Sequence, residues 1–229
     1  GNRNRIAIFM GPKTQVMKKI LSVIAAAMTG IAPAAYGQTP EFVPLYPDGA
    51  QESNGLPSEG VETTPEFLSW AVEADYALVL PDADQATGQA VVICPGGGYR
   101  YVSEREGEMI ALQWNALGYH AVVLKYSVHP AIYPTALLEL ATVMKLVKQH
   151  SEEWHVDAER ILVEGSSAGG HLAASYGMFW KRPFLAEKVG VSAEELRPAG
   201  MILHYPVITS GEYAHQDSFH MLLGENYEN

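Results

Sequence analysis

The sequence predicts an α/β domain, with a mostly parallel sheet covered by helices on both faces. Three observations carry that expectation. Short continuous apolar runs at residues 90–94, 120–124 and 161–163 have the length and composition of strands buried on both sides. Segments with apolar residues at helical spacing separate them. The resulting alternation of strand and helix implies right-handed crossovers between parallel neighbours.

Taken in order, residues 39–64 are rich in Pro, Gly, Ser and Glu and read as a surface segment. Residues 76–80 read as a strand that stops at Pro81-Asp82, with a turn-prone stretch at 84–88. The strand at 90–94 ends in Pro95-Gly96-Gly97-Gly98. A helix follows. Ser103 and Glu106 have the spacing of a capping box, Ile110, Trp114 and Leu117 share a face, and Gly118 suits the position just past the end. After the strand at 120–124, a loop with His129, Pro130, Tyr133 and Pro134 leads to a second helix. Leu137, Leu140, Ala141, Met144 and Val147 line one side of it. Residues 157–160 turn the chain into the strand at 161–163, a helix follows Gly165-Ser166-Ser167-Ala168-Gly169, and 181–198 form a polar excursion. The last strand, 201–205, is closed by Pro206.

The chain has 229 residues, enough for one α/β domain with its own core. Its formal net charge of −11 argues against nucleic acid and anionic membrane as partners. Cys94 is the single cysteine, which excludes an internal disulfide and a cysteine-rich zinc site. Met17-Lys18-Lys19, an apolar stretch at 20–28 and Ala35-Tyr36-Gly37 before Gln38 have the form of a secretory signal peptide over about 17–37. Thr29-Gly30 and Pro33 interrupt that run too early for a membrane span. Residues 1–16 read as an upstream extension outside the fold. The mature domain is then 38–229, exported, and with one cysteine better suited to a bacterial periplasm.

The chemistry centres on Gly165-Ser166-Ser167-Ala168-Gly169, lying between a buried strand and a helix. That is the nucleophile-elbow pattern, in which small residues flank a serine on a tight turn and lift its Oγ above the sheet edge. Ser167 holds the central position and is the expected nucleophile. Ser166 is read as structural. A serine that attacks an acyl carbonyl needs N–H donors for the oxyanion that forms. Ala168 supplies one, and the glycine run supplies Gly97 and Gly98. The two turns sit two strands apart, and a parallel sheet brings both to its carboxyl edge. Tyr99, Tyr126, His129 and Tyr133 form the pocket wall or serve as packing. Glu164 is read as a satisfied structural group and His204 as a core or pocket-wall residue.

Residues 94–99 (CPGGGY) and 165–173 (GSSAGGHLA) resemble the α/β-hydrolase superfamily, in its bacterial carbohydrate-esterase and lipase-like branch with acetyl-xylan and feruloyl esterases. The chain is also similar to the hormone-sensitive-lipase group, but Pro95 stands where that group has histidine. The match extends from about Tyr76 to the end, with His204-Tyr205-Pro206 and residues 218–224 fitting the segment after the elbow helix. The resemblance implies a cofactor-free hydrolase of ester bonds, acting on a small-molecule or oligosaccharide ester. Exported prolyl-peptidase catalytic domains are also similar, so a serine peptidase is the rival, and an inactive fragment is the non-enzymatic alternative. In the superfamily the acid and then the histidine follow the serine. Asp217 and His220 come in that order, but three residues cannot place them on separate strand ends, and His215 precedes Asp217. The expectation is a chain truncated at its C-terminal strands, with acid and base beyond Asn229.

Overall fold

A computed structural model describes residues 7–8, 40–47, 68–69 and 74–228. The segment 17–37, read as a signal peptide, lies outside the described residues. In chain order the strands are β1 (Ala7–Ile8), β2 (Phe42–Pro44), β3 (Leu68–Ser69), β4 (Asp75–Val79), β5 (Ala90–Cys94), β6 (Val102–Ser103), β7 (His120–Lys125), β8 (Ile161–Ser166) and β9 (Gly200–His204). The helices are α1 (Glu108–Asn115), α2 (Thr135–Gln149), α3 (Ser167–Phe179), α4 (Pro183–Val189) and α5 (Gln216–Leu223).

Seven strands form the main sheet in the order β1-β9-β8-β5-β7-β4-β2. The centre, β9-β8-β5-β7, is parallel, while β4, β2 and β1 run antiparallel at the two margins. Every residue of β5 and β8 is buried, which is why their sequences are apolar runs without alternation. Successive side chains still point to opposite faces. Val91 and Ile93 pack with Ile110, Ala111 and Trp114 of α1, whereas Ala90, Val92 and Cys94 face the core under α2 and α3. Trp114 is fully buried, and truncating such a side chain to alanine costs about 3–5 kcal/mol. On α2 the expected face, Leu137, Leu140, Ala141, Met144 and Val147, is buried together with Ala136, Glu139 and Val143.

Several expectations are corrected. The Ser103–Glu106 capping box does not form. Ser103 makes no side-chain cap bond, and α1 starts only at Glu108, after a 3-10 turn at Glu104–Glu106. The box spacing recurs at Ser192 and Glu195, where both reciprocal bonds are present. The excursion at 181–198 contains α4, with Pro183 in its first turn, and buries Leu185 and Leu196 against α2 and α3. Within 39–64, residues 42–44 pair as a strand with β4. Residues 7–8 fall in the stretch read as outside the fold, yet Ala7 and Ile8 pair with Leu203 and Ile202. An edge strand such as β9 offers backbone donors and acceptors to any extended segment, whatever its side chains.

Candidate active site

The parallel sheet brings the two glycine turns closer than their sequence spacing indicates. Strands β5 and β8 are immediate neighbours, with Cys94 opposite Gly165. Their carboxyl ends therefore open side by side, at the edge where an α/β sheet exposes its crevice. Strand β8 ends at Ser166 and α3 begins at Ser167, whose φ of 52° lies in the left-handed region. A non-glycine residue there is strained, and the packing around it holds the strain. The flanking glycines show how. A Cβ on Gly169 would overlap the carbonyl oxygens of Cys94 and Pro95, and one on Gly165 would overlap the carbonyl of Gly169. Helix α3 is thus pressed directly against the end of β5, which only hydrogen at these positions permits.

The loop after β5 is fixed almost atom by atom. Tyr126 donates its O–H to the Pro95 carbonyl at 2.7 Å. The Gly96 N–H donates to Glu106 Oε2 at 2.7 Å, and the Gly96 carbonyl accepts the Ser103 N–H at 2.9 Å. Gly97, at φ 139°, turns its carbonyl to the N–H groups of Arg100 and Tyr101. The Tyr99 hydroxyl meets His171 Nδ1 at 2.8 Å, tying the loop to α3. Burial holds the His171 imidazole below its ordinary pKa, so the ring is neutral near pH 7. Among the described residues, the N–H groups of Gly97 and Gly98 donate to no protein acceptor.

Gly97, Gly98 and Ser167 line one cavity of about 650 Å³. Its other walls are Arg100, Tyr101, Ser103, Arg105, Glu106, Tyr205, His215 and Asp217. Ala168 lies fully buried in the first turn of α3, next to Ser167. That turn has N–H groups without an intrahelical acceptor, and its dipole favours negative charge.

Other sequence-predicted residues go elsewhere. Tyr99 and Tyr126 are buried beneath the loop, edge to face with ring centroids 5.9 Å apart, and do not line the cavity. Each phenol finds a polar partner inside, so its ring can pack as core. His129 is exposed and off the cavity, and its contribution is a backbone N–H donated to the Tyr99 carbonyl. Asp217 lines the cavity, but His220 is exposed and rests on the Tyr227 ring. Both lie on α5, three residues apart, and no hydrogen bond or ion pair joins them among the described residues. Among the described residues no imidazole hydrogen-bonds Ser167 Oγ, and His215, on the cavity wall, pairs its Nδ1 with Ser218 Oγ at 2.8 Å.

Behind the elbow, Glu164 and His204 pair through one ring nitrogen, while His204 Nδ1 has no hydrogen-bond partner among the described residues. His204 Nε2 lies 2.7 Å from Glu164 Oε1, and Trp114 Nε1 donates to Glu164 Oε2. Both residues are buried, so they act as core polar groups rather than cavity walls. Burial, with the Glu164 charge second, pushes the Cys94 thiol well above its ordinary range, so it is not a reactive thiolate. Among the described residues no group of three or more His, Cys, Asp or Glu converges as a metal site, and no helix is long and apolar enough to cross a membrane. Sequence reasoning missed Glu106, Tyr205, Arg100 and Arg105 as cavity residues. The available signal for Glu106 was its nearness to the glycine loop, which the capping-box spacing masked.

A family model described as BD-FAE matches residues 77–202, more than half of the chain. An endo-1,4-beta-xylanase B from Butyrivibrio fibrisolvens is 27% identical over 81% of this chain and 31% of its own length. An acetylxylan esterase from Xylanibacter ruminicola is 28% identical over 61% of this chain and 26% of its own. The chain thus spans under a third of the curated relatives it matches. Among solved structures, an acetyl ester-xyloside bifunctional hydrolase from Caldicellulosiruptor lactoaceticus aligns with a TM-score of 0.64 at 29% identity, covering 84% of this chain and 66% of that one. A carboxylesterase from Lactobacillus plantarum aligns at 0.54 and 28% identity, covering 68% and 60%. The chain belongs to the BD-FAE family and is built on the α/β-hydrolase fold.

Proposed function

We propose that this protein is an exported serine ester hydrolase acting on acylated carbohydrate. One observation carries the reading. A serine held at positive φ shares a cavity with two amides, Gly97 and Gly98, that have no acceptor within the described chain. In the proposed reaction Ser167 Oγ bonds to the acyl carbon, and the carbonyl electron pair moves onto oxygen. The N–H groups of Gly97, Gly98 and Ala168 receive that oxyanion, and one such donor is worth roughly 3–4 kcal/mol of barrier. Collapse breaks the ester C–O bond, and the sugar oxygen leaves with the proton taken from Ser167. Water then attacks the acyl-enzyme in the same way and releases the carboxylic acid.

The base that moves those protons is assigned neither to Asp217 nor to His220, since His220 is exposed and off the cavity wall and no hydrogen bond or ion pair joins the two among the described residues. We place base and acid after residue 229, in the order serine, acid, histidine. The greater length of the relatives supports this. The cavity walls support a sugar substrate, since its side chains are charged, hydroxylic or aromatic and none is aliphatic. The acetylxylan esterase and acetyl ester-xyloside hydrolase among the relatives support it too. The test compares an aryl acetate and an acetylated xylo-oligosaccharide with a long-chain acyl ester, in the wild type and in Ser167→Ala. Loss of short-chain hydrolysis in the variant is expected. A variant at full rate overturns the nucleophile, and preference for the long chain overturns the substrate class. Export through residues 17–37 is expected to leave Gln38 at the N-terminus of the secreted protein. An intact leader on a cytosolic protein contradicts it.

A further inference from the structure

We infer that Glu106 is a positioning residue for the oxyanion loop, holding the Gly96 peptide in place so that only the Gly97 and Gly98 amides face Ser167. This inference rests on the ester-hydrolase reading above and assigns the residue that sets its geometry.

The two oxygens of Glu106 do separate work. Oε2 accepts the Gly96 N–H at 2.7 Å, and Oε1 accepts the Tyr205 hydroxyl at 2.6 Å. One carboxylate therefore bridges the loop after β5 to the residue that follows β9, and both Glu106 and Tyr205 line the cavity. The same short segment also takes the other polar group of that peptide, because the Ser103 N–H donates to the Gly96 carbonyl at 2.9 Å. Both sides of the peptide are thereby fixed, and its N–H is withdrawn from competition for the oxyanion.

Contact makes this fixation matter at the nucleophile. A Cβ on Gly96 would overlap Glu106 Oε2 and lie 2.9 Å from the Ser166 carbonyl and 3.0 Å from Ser167 Cβ. Glu106, Gly96 and Ser167 thus lie in one unbroken line of contact. A shift of the carboxylate moves the loop relative to the serine. The turn that carries Glu106 packs closely against β7 and the start of the loop, since a Cβ on Gly107 would be 2.9 Å from Val123 Cγ1 and 3.0 Å from Pro95 Cγ. Each oxygen of the carboxylate already has a donor, so neither is left to compete for the amides of Gly97 and Gly98. Tyr205 is also committed, since partial burial and then Glu106 hold its phenol above its ordinary pKa and keep it a donor.

The test measures kcat and KM for aryl acetate hydrolysis by the active enzyme and four variants. Glu106→Ala frees the loop, and kcat is expected to fall roughly 100-fold with KM little changed, the effect of misplacing a catalytic group by about 1 Å. Glu106→Gln keeps an amide oxygen for the Gly96 N–H and an NH2 for the phenol oxygen, so its kcat stays within about tenfold of wild type. Tyr205→Phe removes one of the two anchors, and kcat falls about two- to tenfold. Ser167→Ala is the control: if it retains activity, the reading of the site fails, whatever Glu106 does. With the serine variant inactive, wild-type kcat in Glu106→Ala overturns the inference alone. So does Glu106→Gln falling as far as Glu106→Ala, since charge rather than hydrogen bonding would then be at work. Should Glu106→Ala not fold, Tyr205→Phe decides: reduced kcat at unchanged KM and Tm supports the bridge, and wild-type kcat overturns it.

Discussion

The cavity has two unlike halves. The half built on β5 and β8 places backbone beside the nucleophile, with glycines pressed against carbonyls, a serine at positive φ and two glycine amides without an acceptor among the described residues. The half built after β9 is made of the side chains of Tyr205, His215 and Asp217, on a surface segment: Tyr205 is 40% exposed, and Ile208 and Tyr213, which do not line the cavity, are 58% and 85% exposed. In the first half the position of each functional atom is over-determined by contacts and bonds. In the second, Glu106 and the His215–Ser218 pair are the hydrogen-bonded anchors. On the proposed function, chemistry that depends on sub-ångström placement falls to the first half, and contact with the variable part of a substrate to the second.

The largest expected effect that tests this division is at the nucleophile. Ser167→Ala should lower kcat by on the order of 10⁶-fold while leaving thermal stability near wild type, measured by ester hydrolysis and thermal melting. Next is Gly169→Ala, which inserts a methyl between helix and strand. It should cost about 1–3 kcal/mol of stability and depress kcat as the helix is forced off β5. Unchanged stability and rate would mean that the elbow is less tightly packed than described.

A smaller effect tests the closed half away from the serine. Glu139 on α2 accepts the N–H and hydroxyl of Ser127, just past β7. Burial pushes its carboxyl up from 4.5 to about 7, against the lowering effect of those bonds. A raised carboxyl pKa means that the folded state binds the proton more tightly than the unfolded chain. The stabilisation is complete below about pH 4.5 and is lost as pH rises through about 7. Tm should therefore decline across that window, and Glu139→Gln should flatten the decline. The smallest effect is Tyr213→Ala in the open half, expected to change stability by less than about 0.5 kcal/mol. A large loss there would erase the contrast between the halves.

The same contrast explains what could be read in the sequence. Strands β5, β7 and β8 are buried on both faces, so their composition alone marked them. The elbow and the glycine loop were legible because small residues are required at fixed offsets, and one dimension records offsets. Glu106 was misread because Ser103 and Glu106 match a capping box in spacing while the fold sends the carboxylate to Gly96 and Tyr205 instead. Tyr99 and Tyr126 were candidates for the pocket wall because a phenol suits either place, and only the partners at His171 and Pro95 decide for the interior. The pairing of residues 42–44 with β4 rests on backbone bonds at a sheet margin, which leave little trace in side-chain pattern.

The most direct test of the central claim is a crystal structure of the enzyme after reaction with an aryl phosphonofluoridate. Displacement of fluoride by Ser167 Oγ should leave a phosphonyl oxygen about 2.7–3.1 Å from the Gly97 and Gly98 nitrogens. An adduct on another residue, or a phosphonyl oxygen turned away from those amides, would contradict it.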